Sequence, residues 1–262
     1  MPHTSILTSE QLEAFERRGI LRLEGFYPDA VIGPVAGRLW EDLEQRFGMF
    51  RDRPQSWTVT HPAQFRTLTR SGAFNALATP ETAELADALL GAGAWDPPMS
   101  WGPLVTFPSP AADPPRPPWH LDIGACGALS PLPVMRAFTF LEPVLPGGGG
   151  TLYVAGSHRF ALEIDLAQER QTRRSAQIRE RLKHEHPWFA RLHSARGVQL
   201  RALMNEEAEV GNHRVRLEEM TGAPGDLILM HPAVLHASAH NALIRPRMML
   251  TLWVPRRGVS LG

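Results

Sequence analysis

The sequence has little cysteine, no excess of either charge and no long apolar run. Among its 262 residues there is one cysteine, Cys126, so an internal disulfide cannot form, as is usual for proteins of the reducing cytoplasm. The N-terminal residues lack the basic and apolar regions of a secretory signal. No apolar stretch reaches the roughly 18–20 residues that a membrane-spanning helix needs. We therefore expect a cytoplasmic protein without a membrane partner.

Basic and acidic side chains are balanced. Lys+Arg and Asp+Glu each number 27, so the formal net charge at pH 7 is zero. Domains that bind nucleic acid usually carry a marked basic excess, and we therefore expect no nucleic-acid partner. The glycine run at 147–150 lacks the Gly-Lys-Ser/Thr ending of a phosphate-binding loop, which leaves a turn as its interpretation.

Short apolar stretches separated by glycine and proline predict a mainly β fold with peripheral helices. Strands of this kind, set off by turns, are typical of a sandwich or jelly roll. The predicted strands are residues 20–23, 134–141, 151–155, 226–230 and 249–254.

Two helices are predicted at the N-terminal end. Thr8 and Gln11 have the spacing of a capping box, and the helix that follows them ends at Gly19. A second helix carries apolar residues at every fourth position up to Phe47, with Asp29 as its N-cap and an end at residue 48.

Residues 159–201 change in composition to charged and helical. They hold nine arginines and Lys183 against five acidic residues, although the whole chain is neutral. No repeat or linker divides the chain, so we expect a single domain over 1–262 with a helical insert at about 159–201. The insert is either a solvated helical surface or a mobile cover whose basic residues attract an anionic substrate.

The segment Trp119-His-Leu-Asp122 places an imidazole and a carboxylate two residues apart. On a strand, His120 and Asp122 would face the same side and could bind one ion, although His-x-Asp also occurs by chance. Further histidines follow at 231, 236 and 240. Two histidines and a carboxylate with open coordination positions form the facial triad of non-haem Fe(II) oxygenases. Arg247, on a predicted strand nearby, could hold a carboxylate in a bidentate clamp.

Several motifs along the chain resemble the phytanoyl-CoA dioxygenase family of Fe(II)- and 2-oxoglutarate-dependent oxygenases. They are LTSEQLEAFERRGILRLEGF at 7–26, HLD at 120–122, GGTLYVAGSHR at 149–159 and PGDLILMHPAVLH at 224–236, followed by Arg247. The resemblance implies a double-stranded β-helix core, a jelly roll similar to the cupins. It also implies that His120, Asp122 and His236 hold the iron and that Arg247 binds 2-oxoglutarate.

The resemblance extends to two further positions beside the cosubstrate, and Thr106, in the strand before the His-x-Asp, is a third candidate. Ser238 corresponds to a serine that binds the same cosubstrate carboxylate in similar enzymes, and Phe138 to an aromatic beside the cosubstrate. Thr106 is a candidate for a polar contact. Each has a simpler interpretation: Phe138 as core, Ser238 as a solvated hydroxyl, and Thr106 as a packing residue of a strand.

Other chemistry-bearing residues are interpreted as structural. His231 and His240 have no partners at metal-ligand spacing, so we expect them to be structural or exposed to solvent. His158 lies in the GSHR stretch, where it would hydrogen-bond a loop. Cys126 follows Asp122 closely and is either a buried inert thiol or part of the site wall.

The resemblance implies a dioxygenase that uses Fe(II), 2-oxoglutarate and O2 to hydroxylate or otherwise oxidise a small-molecule metabolite in biosynthesis, with release of succinate and CO2. Related halogenases have a small residue in place of the carboxylate, so the presence of Asp122 favours hydroxylation. Two alternatives remain open. One is a cupin-like metal hydrolase or isomerase, which would not need Arg247. The other is a non-catalytic protein that binds metal or 2-oxoglutarate on the same fold.

Overall fold

Nine strands and eight α-helices are formed by the residues that the computed structural model describes. These are residues 6–109, 117–123, 128–167 and 175–259, with the backbone alone for 165–167. The helices are α1 (Ser9–Arg18), α2 (Asp29–Phe47), α3 (Arg66–Arg70), α4 (Pro80–Leu90), α5 (His158–Ala167), α6 (Ser175–Glu185), α7 (Pro187–Ser194) and α8 (Gly197–Met204). The strands are β1 (Ile20–Leu23), β2 (Trp101–Thr106), β3 (Val134–Phe140), β4 (Leu152–Ala155), β5 (Glu207–Val210), β6 (His213–Glu219), β7 (Leu227–Met230), β8 (His236–Ala237) and β9 (Arg247–Pro255).

Two antiparallel sheets face each other. One has the strand order β1-β7-β3-β9-β2 and the other the order β5-β6-β4-β8. From β6 to β9 consecutive strands of the chain alternate between the sheets, as in a double-stranded β-helix, while β4, β5 and β6 all lie in the four-stranded sheet. The predicted fold class is confirmed. None of the described helices is both long enough and apolar enough to cross a membrane.

The central strand β3 shows how the core is divided. All seven of its residues are buried, because helices cover one of its faces and the second sheet covers the other. Met135 and Ala137 contact the layer formed by α1, α2 and α4. Phe138 and Phe140 point between the sheets. Arg136 has the same parity as these two rings, so β3 directs a guanidinium into the interior.

The N-terminal helices follow the sequence prediction closely. Thr8 Oγ1 accepts a hydrogen bond from the Gln11 N–H, and the Gln11 side chain accepts one from the Thr8 N–H, so the capping box is formed. The predicted N-cap of α2 is wrong by one residue. Pro28 has the extended cap conformation, and Asp29 is the first helical residue. At this position the negative charge of Asp29 interacts favourably with the helix dipole.

The insert has an apolar core of its own. Ile178 and Leu182 of α6 pack with three buried side chains of α7, which are Trp188, Phe189 and Leu192. Residues 168–174 lie outside the described part of the chain.

Sequence reasoning missed α4 and the hairpin of β5 and β6. In β6 the buried residues alternate with exposed ones. This period of two is the signal of a half-buried strand, but charged residues at every exposed position resembled the helical composition of the insert.

Two buried histidines join the N-terminal helix to the β-core. The rings of His158 and His231 lie 5.1 Å apart. His158 Nε2 hydrogen-bonds the Glu16 carbonyl of α1 at 2.9 Å, and His231 Nδ1 accepts from the Ala233 N–H at 3.1 Å. Burial lowers the pKa of His158 to about 4 and that of His231 to about 3, so both rings are neutral at pH 7. His231 is therefore structural, one of the two roles expected for it.

Gly19 allows the ring of His158 to lie against the end of α1. It ends α1 with a φ of +70°, and a Cβ at this position would lie 2.5 Å from His158 Nδ1 and 2.6 Å from Val234 Cγ2. Both the backbone conformation and the close approach therefore require glycine.

We expect Gly19→Ala to lower the free energy of unfolding by about 2–4 kcal/mol, from left-handed strain plus overpacking. Gly25→Ala is the matched control, because Gly25 has a φ of +59° but nothing within 4 Å of its Cβ position. The control should cost only about 1–2 kcal/mol. Denaturant titration measures both. Equal losses would show that the His158 contact contributes nothing.

The histidine pair predicts a loss of stability in acid. Because both pKa values are lower in the folded protein than the ordinary value near 6.5, the unfolded chain takes up these protons first. The free energy of unfolding should be unaffected by the pair above about pH 7 and fall between about pH 6.5 and 4, by up to ~1.4 kcal/mol per pH unit for each proton. His231→Asn keeps an acceptor for the Ala233 N–H and should flatten this slope. An unchanged slope in that variant would contradict the assignment.

Candidate metal centre

His120, Asp122 and His236 converge between the two sheets. One nitrogen or oxygen atom of each lies within 4.8 Å of the others, the only such group of potential metal ligands among the described residues. The backbone brings them together. His120 and His236 exchange two N–H···O bonds, of 2.9 and 3.0 Å, and the Asp122 N–H donates to the Pro232 carbonyl at 2.9 Å.

Both imidazoles are oriented by their second nitrogen. Nδ1 of His120 hydrogen-bonds the Pro118 carbonyl at 2.8 Å, and Nδ1 of His236 hydrogen-bonds the Val234 carbonyl at 2.9 Å. A carbonyl accepts only, so each Nδ1 carries the proton and each Nε2 presents a lone pair. His236 Nε2 lies 3.2 Å from Asp122 Oδ2, and His120 Nε2 lies 3.8 Å from Oδ1. Metal-binding histidines are held in this way.

The protonation states also suit a metal. Burial and the neighbouring His236 lower the pKa of His120. Burial raises the pKa of Asp122, but the adjacent His236 and the charge of Arg136 outweigh burial, so the pKa lies below its ordinary value. Two imidazole lone pairs and one carboxylate fit Fe(II) in a facial triad with open positions.

Arg136 is a residue of the site that sequence reasoning missed. Its Nε lies 3.0 Å from Asp122 Oδ2, and its guanidinium stacks 4.6 Å from the Phe138 ring and 4.0 Å from the Trp253 ring. Burial lowers the pKa of Arg136 to about 10, against the opposing effect of Asp122, so it stays charged at neutral pH. The only sequence signal was a charged residue inside an otherwise apolar strand.

Arg247 is the first residue of β9, and it is buried. The pairing of β2 with β9 sets Thr106 opposite Arg247, and Arg247 Nη2 donates to Thr106 Oγ1 at 2.9 Å. Burial lowers the pKa of Arg247 to about 10, while Glu219 opposes the change, so this guanidinium is also charged at neutral pH. Arg245, two residues earlier, is exposed.

The structure brings together three of the four predicted cosubstrate residues. Thr106, Ser238 and Arg247 line one cavity of about 410 Å³, together with residues 61–66. Ser238 is exposed to this space. Phe138 is fully buried and lies under Arg136 rather than in the cavity wall, so its observed contacts are those of the core.

A second cavity, of about 470 Å³, shares Ser238 with the first. Its walls include Pro118, which precedes the metal-ligand candidates, and His240. His240 is half-buried there. Helix α8 of the insert forms another side of this cavity with Leu200, Arg201 and Met204. Cys126, the other residue considered for the site wall, lies outside the described residues.

Comparison with known proteins agrees with this geometry. Residues 15–249 match the model of the family described as phytanoyl-CoA dioxygenase. No protein of curated function matches the chain significantly.

Solved structures of similar fold cover nearly the whole chain. The 2-oxoglutarate-dependent carbocyclase SnoK of nogalamycin biosynthesis is 18% identical, with a TM-score of 0.58 over 98% of this chain and 88% of its own. The epimerase SnoN, in complex with Fe3+, 2-oxoglutarate and nogalamycin RO, is 15% identical, with a TM-score of 0.58 over 96% and 84%. EctD of S. alaskensis, with 2-oxoglutarate and 5-hydroxyectoine, is 16% identical, with a TM-score of 0.57 over 98% and 78%.

The family model spans most of the chain, the two-sheet fold is shared with solved oxygenases, and a His-Asp-His group lies between the sheets. The chain therefore belongs to the phytanoyl-CoA dioxygenase family of Fe(II)- and 2-oxoglutarate-dependent oxygenases.

Proposed function

We propose that this protein uses Fe(II), 2-oxoglutarate and O2 to hydroxylate a small-molecule metabolite in biosynthesis. The observation that carries the proposal is the buried Arg247, which lines a cavity together with Ser238, two residues after the ligand candidate His236. A metal hydrolase would need the three ligands but would gain nothing from a charged guanidinium at this depth. A non-catalytic protein would be expected to have lost a ligand, and none of the three is missing.

Each residue has a role in this proposal. His120, Asp122 and His236 would hold the iron, and Arg247 would bind the distal carboxylate of 2-oxoglutarate, with the hydroxyls of Thr106 and Ser238 as further partners. When bound, the iron activates O2 and 2-oxoglutarate supplies two electrons as it is converted to succinate and CO2. The side chains themselves position these groups and keep their charges compensated. Phe138 acts here by packing against Arg136.

The second cavity is the proposed place of the primary substrate. It lies between α8 and the residues that follow His236, and its mainly apolar wall includes Arg201, His240 and Glu219. This arrangement supports the hypothesis that the insert covers the site. Arg201 is the residue of the insert that would attract an anionic group of the substrate there. The relatives named above include a carbocyclase and an epimerase, so the position of the substrate in this cavity would decide which oxidation occurs. A cytoplasmic location stays a prediction.

The proposed reaction is tested by its stoichiometry and its ligands. With Fe(II), 2-oxoglutarate and O2, the protein should release succinate, and more of it when a substrate is present.

Anaerobic addition of Fe(II) and 2-oxoglutarate should produce a visible absorption band. In His236→Ala the loss of metal affinity should exceed the roughly 10–100-fold cost of removing an outer-shell partner, and the band should disappear. His240→Ala is the control and should keep it. The opposite result would show that the ligand assignment is wrong.

Arg247 is expected to control the affinity for the cosubstrate. Arg247→Ala should raise the 2-oxoglutarate concentration for half-maximal succinate release by roughly 10- to 1,000-fold, because it breaks a buried charge pair. Arg245→Ala removes the same charge from an exposed position and serves as the matched control. A large effect of Arg245→Ala together with an unaffected Arg247→Ala would overturn the assignment of the cosubstrate residue.

A further inference from the structure

A full positive charge is buried against the oxygen atom that a metal would use. The Arg136 side chain is 9% exposed, and its Nε lies 3.0 Å from Asp122 Oδ2. Oδ2 also faces His236 Nε2 at 3.2 Å. Among the described residues, Asp122 is the only acidic side chain in an ion pair with Arg136. The carboxylate is therefore shared between this guanidinium and the metal position.

Packing holds the guanidinium in this position. The rings of Phe138 and Trp253 lie 4.6 and 4.0 Å from its central carbon, and such faces favour a cation that has left water. Arg136 is thus unable to turn to solvent when a cation arrives at Asp122. A divalent ion and the guanidinium would repel each other across a few ångströms of interior, where screening by water is weak.

The charges around the site show what would relieve this repulsion. With a divalent metal in place, the charged groups that the described part of the chain brings to this space are the metal, Arg136 and Arg247 on the positive side and Asp122 and Glu219 on the negative side. Glu219 is half-buried, which raises the pKa of its carboxyl, while the N–H groups of Gly147 and Gly150 donate to it and act in the opposite direction. His120 and His236 are neutral when they bind a metal. With both carboxyls ionised, these described groups leave two positive charges uncompensated, and a dicarboxylate such as 2-oxoglutarate carries two negative charges.

We propose that Arg136 makes the binding of metal and the binding of the cosubstrate dicarboxylate depend on each other. This inference rests on the proposed function, since it concerns the same site. Arg136 weakens the binding of the metal alone and strengthens the binding of the dianion to the metal-loaded protein. By linkage the two effects are reciprocal. Arg136 is thus a positioning residue that acts on the metal through Asp122 and through the net charge of the site.

The experiment measures Mn(II) binding to the full chain, with and without 2-oxoglutarate, by titration calorimetry. Mn(II) is a divalent probe that needs no exclusion of oxygen. In the wild type, 2-oxoglutarate should tighten Mn(II) binding by a large factor, part of which comes from chelation. In Arg136→Gln, Mn(II) alone should bind more tightly, and the factor gained from 2-oxoglutarate should fall by about 5- to 150-fold, the usual range of coupling between sites.

Two variants separate charge from structure. Arg136→Lys keeps the charge without the planar fork and should retain the wild-type coupling. Arg136→Met removes the charge but fills the space between Phe138 and Trp253, so it should behave as Arg136→Gln and replaces it if the glutamine variant fails to fold. Arg245→Gln removes an exposed charge and should change neither binding constant.

The outcomes have distinct meanings. If the neutral variants bind Mn(II) no more tightly and keep the full coupling, the inference about Arg136 is wrong while the proposed function stands. If the lysine variant loses coupling as the neutral variants do, charge is not the cause and the inference is overturned as well. If the wild type binds Mn(II) and 2-oxoglutarate in no combination, the proposed function itself fails.

Discussion

The candidate site depends on one backbone contact, the pair of hydrogen bonds between His120 and His236. The two residues are far apart in sequence, and each donates its N–H to the carbonyl of the other at 2.9–3.0 Å. This pairing fixes the segment 117–123 against β8, and the bond from Asp122 to Pro232 sets its register. The side chains of all three ligand candidates then follow from ordinary strand geometry.

Charge in the interior is the main cost of this arrangement. Burying a guanidinium or a carboxylate is unfavourable unless it is paired, and this protein buries both kinds between its sheets. The charge of Asp122 stabilises the Arg136 cation, and the charge of Glu219 stabilises the Arg247 cation. Each pair lies where an ion or an anionic ligand is proposed to bind. The interior is therefore compensated well enough to fold, while its charges remain available to ligands.

Stability and function are carried by different parts of the molecule. The N-terminal helices are fastened to the outer face of the five-stranded sheet by an apolar layer and by the neutral pair His158 and His231. The insert packs on the other sheet through its own apolar layer and brings α8 to the cavity that contains Ser238. The sheets between these layers position the site, and the insert closes one side of it.

Local chemistry in the sequence was enough to predict the capping box at Thr8, the end of α2 at Gly48 and most strands, because these depend on neighbouring residues. The spacing of His120 and Asp122, together with the resemblance, also predicted which residues converge. Three features depended on tertiary structure. Arg136 meets Asp122 only because β3 packs beside the segment 117–123, and parity then turns its side chain inward. The pairing of β2 with β9 buries Arg247 against Thr106, and packing of the insert brings α8 to the cavity. Each is a long-range contact between elements that the sequence predicts separately, and local patterns contain no information on which elements will meet.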